Sequence, residues 1–311
     1  MNGSLPSRVA VVGTGTVGAS WAAYYLSRGL DVSATDPGPG AEALLHRMVE
    51  RAWPVLEQLG MAKGADRSRL SFSDDLAVAL DGAEFVQEAA PEREDVKIEL
   101  FEKLDALTTP EVILASSTSG LLISHLQARC SHPERCVTAH PFNPPHLIPL
   151  VEVVGGDRTS AATIDQAMEF YRSIGKFPIH VRTEVIGHVA NRLQAAVFRE
   201  AIHLVYSGVA SAADVDAAIA YGPGLRWALM GPLLTFHLAG GDGGIEHFMD
   251  HLREANNIWM ADLSEDLITE EAAAAVIRGV VDEAAGRSVA ELVTRRDEFL
   301  LELLELKKRR P

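Results

Sequence analysis

Basic charge, cysteine and long apolar runs are what this chain lacks. Of 311 residues only 28 are Lys or Arg, against 43 Asp and Glu, for a formal net charge of −15. That imbalance argues against nucleic acid or an anionic membrane as a partner. The two cysteines, Cys130 and Cys136, belong to no spaced Cys/His pattern. A reduced, cytoplasmic protein without a metal site is the expectation. His132, His140 and His146 are not at helical ligand spacing either. No apolar run is long enough to span a bilayer, and the short polar stretch 1–7 leads directly into a predicted strand, so no signal peptide is expected. Internal repeats and disordered tracts are missing. So is a nucleophile elbow, which needs Gly two residues before Ser119. Position 117 is Ser, which argues against a hydrolase.

What is present starts at the first apolar run. Arg8-Val9-Ala10-Val11-Val12 reads as a buried strand, and Gly13-Thr14-Gly15-Thr16-Val17-Gly18 as a glycine turn that opens a helix. Asp36 follows the next short apolar run. Gly13 permits the tight turn, Gly15 lets a pyrophosphate approach the backbone, and Gly18 lets the helix lie close on the strand. The amides at Thr16, Val17 and Gly18 would hold the pyrophosphate at a helix N-terminus. Asp36 would accept hydrogen bonds from a ribose and repel a 2′-phosphate, which favours NAD over NADP.

Length alone predicts two domains, since single cores hold roughly 100–200 residues. Short apolar runs at 8–12, 31–35, 84–88, 112–116, 136–139, 150–154 and 177–181 read as strands. Helical segments fall at 16–28 (closed by Gly29), 41–59, 92–107, 121–128 and 161–174. Pro54 is expected to interrupt or kink the second helix, and Pro91 just precedes the third. From Ile186 a helical apolar stripe runs through Val189, Ala190, Leu193, Val197, Ala201 and Leu204. Ser211 is placed to cap a helix through 220. The stretch 289–308 ends in basic residues that suit a helix C-terminus. Residues 240–244 read as a turn, since no strand precedes them. The fold class expected is therefore α/β: a Rossmann-type domain with a mostly parallel sheet over 1–184, followed by an all-helical domain over 185–311.

The segment 116–152 carries the chemistry. It holds Ser116-Ser117-Thr118-Ser119-Gly120, then His140-Pro141-Phe142-Asn143-Pro144-Pro145, then Leu150-Val151-Glu152-Val153. Together with Val189-Ala190-Asn191-Arg192-Leu193, these blocks resemble the 3-hydroxyacyl-CoA dehydrogenase family. Within it they are most similar to the branch of L-gulonate 3-dehydrogenase (lambda-crystallin) and L-carnitine dehydrogenase. The likeness runs from about Val9 to about Leu252 and thins after about Ala255.

Oxidising a secondary alcohol needs a base for the hydroxyl proton while hydride leaves carbon, and an imidazole at a strand end suits that task. The resemblance assigns this role to His140, with Glu152 orienting the ring and stabilising imidazolium. It assigns Ser119 to the reacting oxygen and Asn191 to the same locus, at the domain interface. It places Ala90, Glu92, Lys97, Ser117 and Asn143 on the cofactor side, with Glu92 and Lys97 in the helix after the 84–88 strand. Simpler readings stand beside these. A lone strand-end His is often structural, Ser119 can be a helix cap, and Asn191 can make a structural bond across domains. Glu152 is costly to bury unless paired, which itself predicts a partner.

Coenzyme A users of the family carry a basic helical arm after the second strand. Here that arm holds Arg47, Arg51, Lys63, Arg67 and Arg69 but also Glu50, Glu57 and Asp66. Where those enzymes have a short aliphatic turn, this chain has Arg226-Trp227 before Gly231-Pro232. Arg226 is expected to hold a substrate carboxylate by its planar fork, and Trp227 to face a quaternary ammonium. An interdomain ion pair and core packing are the plainer alternatives for this pair. The expectation is NAD-dependent oxidation of a small L-3-hydroxy acid, carnitine- or gulonate-like. A 3-hydroxyacyl-CoA substrate and a non-catalytic NAD(H)-binding protein are the alternatives. The resemblance further implies a homodimer through the helical domain and a place in fatty acid metabolism.

Overall fold

A computed structural model describes residues 6–309. Eight strands form one sheet: β1 (Arg8–Val12), β2 (Asp31–Thr35), β3 (Leu70–Phe72), β4 (Phe85–Glu88), β5 (Ile113–Ser116), β6 (Cys136–Pro141), β7 (Leu150–Gly155) and β8 (Phe177–Val181). Their order is β3-β2-β1-β4-β5-β6-β7-β8. Neighbours run parallel except β6 and β7, which are antiparallel. The helices that wrap the sheet are α1 (Thr16–Ser27), α2 (Ala41–Leu59), α3 (Leu76–Leu80), α4 (Glu94–Leu107), α5 (Ile123–Leu126) and α6 (Ala161–Ser173).

The β1 sequence explains why both faces are covered. Side chains alternate along a strand. Val9 and Val11 enter one apolar cluster with Trp21 and Tyr25 of α1 and Tyr171 of α6. Ala10 and Val12 enter another with Phe101 and Leu104 of α4. A run of consecutive apolar residues is the signature of a parallel strand buried on both sides. From β1 the chain order runs outward in both directions, toward β2 and toward β4. Such a reversal opens a crevice at the carboxyl ends of the strands, where open α/β sheets bind ligands.

The chain divides into two compact units. The first holds residues up to Arg192 together with Asp297–Glu305, and the second holds Leu193–Arg296 and the residues from Leu306 on. The later helices are α7 (Ala190–Tyr206), α8 (Ala212–Ala220), α9 (Pro223–Trp227), α10 (Pro232–Ala239), α11 (Gly244–Asp262), α12 (Glu270–Ala284) and α13 (Val289–Arg309). Ser211 caps α8 by accepting from the Asp214 amide, and Thr269 caps α12 through Ala272. No described helix is long and apolar enough to cross a membrane.

Several boundaries differ from the sequence reading. The stripe from Ile186 predicts a helix there, yet α7 starts at Ala190. Gly187 and His188 have φ of 77° and 49°, and left-handed residues cannot continue a right-handed helix. Helix α4 begins at Glu94 because Arg93 is extended, so Glu92 lies in the preceding loop. Pro54 does not interrupt α2, which continues to Leu59. The short β3 and α3 have no counterpart in the predicted elements, being too brief for periodicity to register.

Two buried ion pairs brace the sheet from its two ends, one at the carboxyl end of β4 and one just before β6. Lys97 Nζ lies 2.5 Å from Glu88 Oε1, and both side chains are almost fully buried. Arg135 pairs with Asp105 at 2.7 Å. Removing one partner of such a pair strands the other charge, at a cost of about 3–5 kcal/mol. Lys97→Met is therefore expected to lower unfolding stability by that order, and adding Glu88→Gln should restore part of the loss. Urea unfolding of the single and double variants checks this; equal losses in both would show that the stranded charge is not the cause.

Candidate active site

The glycine turn is shaped for a dinucleotide. At Gly13, φ is 94°, and a Cβ there would stand 2.6 Å from the Ala89 carbonyl at the end of β4. A Cβ on Gly18 would stand 1.8 Å from the Gly13 oxygen, so α1 lies against its own strand. At Gly15 nothing lies within 4 Å of a Cβ position. Two glycines thus permit close packing, and the third leaves backbone open to a ligand. Gly15 is also the N-cap of α1 and offers no side chain to the first-turn amides, which leaves the amides near Thr16 and Val17 for an anion. Asp36 immediately follows β2, where its Oδ2 accepts from the Thr14 amide (2.8 Å) and its Oδ1 from the Gly38 amide (2.8 Å). The carboxylate is thereby fixed at the rim with lone pairs to spare. These residues fit NAD.

Beside this crevice, strand pairing builds a second arrangement. In the antiparallel β6–β7 ladder His140 sits directly opposite Glu152, and cross-strand neighbours on one face are within side-chain reach. His140 Nδ1 lies 2.9 Å from Glu152 Oε2. Both residues are buried, at 5% and 0% exposure. The other carboxylate oxygen accepts the amides of Val189 and Ala190, each at 2.9 Å, at the start of α7. Burial pushes the Glu152 carboxyl up, but the His140 ring and these two amides outweigh it and hold it below its usual value. With Nδ1 on a carboxylate, Nε2 is the ring nitrogen available for proton exchange.

The loop after β5 is held by a second carboxylate. Glu92 Oε1 accepts from Thr118 Oγ1 (2.7 Å) and the Ser119 amide (2.7 Å), while Oε2 lies 3.6 Å from Lys97 Nζ. Asn191 Nδ2, in the first turn of α7, donates to the Ser119 carbonyl at 3.1 Å. Ser119 is exposed and caps no helix, since α5 begins at Ile123 after Leu122. The remaining expected residues are placed differently. Ser117 is nearly buried and its hydroxyl accepts from Gln87 Nε2. Lys97 is inside the fold, donating to Glu88 and to the Ala90 carbonyl (3.0 Å), so it braces the crevice from beneath. Asn143 is exposed in the loop between β6 and β7. That loop is pinned by buried Lys176, which donates to the carbonyls of Pro145 and Ile148. Arg226 and Trp227 are exposed residues of α9, in the second unit.

One residue escaped the sequence reading. His188 is buried, and its ring centroid is 5.2 Å from that of His140. Read as part of a helix, position 188 falls off the apolar stripe and looks solvent-facing. Its only sequence signal is the Gly187 before it.

A dinucleotide turn and an imidazole held by a buried carboxylate define an NAD-dependent dehydrogenase. Comparison with known proteins sharpens that class. Residues 8–185 match the family model for the NAD binding domain of 3-hydroxyacyl-CoA dehydrogenase, and residues 187–281 match that for its C-terminal domain. The chain belongs to the 3-hydroxyacyl-CoA dehydrogenase family. It is 50% identical over 297 residues to L-carnitine dehydrogenase of Streptomyces coelicolor, covering 96% of this chain and 93% of that one. It is 47% identical to L-carnitine dehydrogenase of Pseudomonas aeruginosa, covering 95% and 92%. Among solved structures it is similar to the NAD+-dependent 5-formyl-3-hydroxy-2-methylpyridine 4-carboxylic acid 5-dehydrogenase. There the TM-score is 0.84 at 32% identity, with 98% of this chain and 99% of that chain covered. The (S)-3-hydroxybutyryl-CoA dehydrogenase of Ralstonia eutropha aligns with a TM-score of 0.63 at 26% identity, covering 83% and 89%.

The lowered Glu152 carboxyl has a pH consequence. Its stabilisation is present above the ordinary carboxylate value of 4.5 and is lost as pH falls through the lower native value. Glu152→Gln should therefore be less stable than wild type at neutral pH, with the gap narrowing below about pH 4.5. Urea unfolding across that range checks the sign; a gap independent of pH would overturn it.

Proposed function

We propose that this enzyme oxidises the 3-hydroxyl of a free L-3-hydroxy acid, carnitine-like first and gulonate-like second, to the 3-keto acid. The observation that carries the reading is the His140–Glu152 pair, with its second ring nitrogen unengaged by the carboxylate. In this reading Nε2 of His140 takes the hydroxyl proton, and Glu152 stabilises the imidazolium that results. Ser119 and Asn191, tied to each other through the Ser119 carbonyl, orient the reacting oxygen. Gly13, Gly15, Thr16, Val17, Gly18 and Asp36 hold NAD, with Ala90, Glu92, Lys97, Ser117 and Asn143 shaping its nicotinamide end. NAD, when bound, supplies the hydride acceptor.

Two further observations favour a free acid over a coenzyme A ester. The arm after β2 spends two of its five basic groups on acidic partners: Arg67 pairs with Glu50, and Arg69 pairs with Asp31 at 2.9 Å. On α9, Arg226 and Trp227 present a guanidinium and an indole on one short exposed helix. These suit a carboxylate and a quaternary ammonium respectively. The names of the relatives point the same way. The test is NADH formation with carnitine, gulonate, 3-hydroxybutyrate and its coenzyme A ester. Carnitine should give the highest kcat/KM, and Arg226→Ala should raise its KM about tenfold or more, as expected when a charged hydrogen-bonded pair is lost. His140→Asn should bind NADH like wild type and lose turnover. A preference for the ester, or an active His140→Asn enzyme, would overturn the reading.

The protein works as a cytoplasmic homodimer built on the helical unit, with a place in fatty acid metabolism. Exposed Leu233, Trp259, Leu267 and Ile268 in that unit support a self-association face. Light scattering during gel filtration should give twice the mass of the 33.5 kDa chain; a monomer at micromolar concentration would remove this part of the proposal.

A further inference from the structure

His188 makes three separate connections to the site. Its ring lies 5.2 Å from the His140 ring, tilted by 43°. Its Nε2 lies 3.3 Å from the carbonyl oxygen of Thr118, the residue before Ser119. Its backbone, in the left-handed region at φ 49°, immediately precedes the two amides that clamp Glu152. A non-glycine residue adopts that conformation at a cost, and such outliers persist where the surroundings over-determine them. Only one other non-glycine residue among those described, Ala285, shares it.

The ring's chemical state follows from its partners. A carbonyl can only accept, so Nε2 carries the hydrogen and donates to Thr118. Burial, and then the neighbouring His140, push the His188 imidazole toward its neutral form. Nδ1 is left as an acceptor that is buried with no partner. Glu152 and Glu92 are the charged groups that act in the opposite direction, and the Thr118 carbonyl does so as well.

We propose that His188 is a positioning residue for the reaction, holding the His140 ring against Glu152 while tying that pair to the Ser119 loop. Among the described residues, Glu92 reaches the Ser119 loop but not the pair, and Asn191 reaches only the Ser119 carbonyl. The strained Gly187–His188 turn aims the first amides of α7 at one carboxylate oxygen, and the ring it carries packs beside the imidazole bound to the other. The inference rests on His140 being the base.

His188→Phe keeps a planar ring beside His140 but loses the Thr118 bond; His188→Ala loses both. Both variants retain the cofactor turn, so NADH affinity should stay within about twofold of wild type. For His188→Phe, kcat should fall by roughly tenfold, the equivalent of one lost hydrogen bond. For His188→Ala it should fall further, because the ring contact goes as well. The readout that a merely structural role would not move is the proton NMR signal of the His140 Nδ1–H in its bond to Glu152. It should broaden or shift upfield in His188→Ala while remaining in His188→Phe. Circular dichroism and thermal unfolding confirm that each variant is folded; if the Ala variant does not fold, the Phe variant alone decides through its kcat. Wild-type kcat in the folded variants, or an unchanged proton signal in His188→Ala, would overturn the inference. An active His140→Asn enzyme would overturn the underlying reading instead, so the two failures are distinguishable.

Discussion

Antiparallel pairing of β6 with β7 is the constraint on which the site depends. In an otherwise parallel sheet, this one reversal sets His140 face to face with Glu152. Side chains on a strand alternate between faces, so a slip of one residue would put the two groups on opposite sides of the sheet. The pair is therefore specified by a whole ladder of backbone hydrogen bonds, and its geometry does not rely on the flexible ends of two loops. Burial then gives the contact its force. A carboxylate with no solvent must be satisfied by the protein, and Glu152 is satisfied three times over, by one ring and two amides.

The same device recurs around the crevice. Glu92 gathers the amides and hydroxyl of the loop that carries Ser119. Glu88 accepts from the Ala90 amide and from buried Lys97 at the end of β4. In each case a carboxylate collects donors from a neighbouring loop, and charge-assisted hydrogen bonds of this kind are stronger than neutral ones. An acidic chain here uses part of its acidity as internal fastening. Beneath these clamps, Tyr25, Tyr171, Gln87 and Ser117 form a connected buried chain, so the loop after β5 is also tied down from the core side.

Much of this was legible in the sequence because it rests on local patterns. The strand–glycine–helix–acid order is a local pattern, and Gly13 and Gly18 make the close approaches that their spacing implied while the space at Gly15 stays open. That Glu152 needs a partner followed from its place inside an apolar strand. What stayed hidden depends on tertiary geometry. Nothing in the local sequence of β7 announces its reversed direction. Lys97 was expected on the cofactor side, but its pairing with buried Glu88 depends on how α4 packs against the end of β4, which helical periodicity does not encode. His188 was concealed by a continuous apolar stripe that ran across a turn, since periodicity does not register a pair of left-handed residues.

The loop joining β6 to β7 enters the fold at His140 and leaves it near Leu150. Its carbonyls accept from Lys176 Nζ, which is buried against Trp21 and Tyr24. The ladder sets the backbones of His140 and Glu152 opposite each other, and one interior side chain fastens the connection between their strands. Losing it would leave two carbonyls without a partner inside the fold and loosen the turn that leads from one member of the pair to the other.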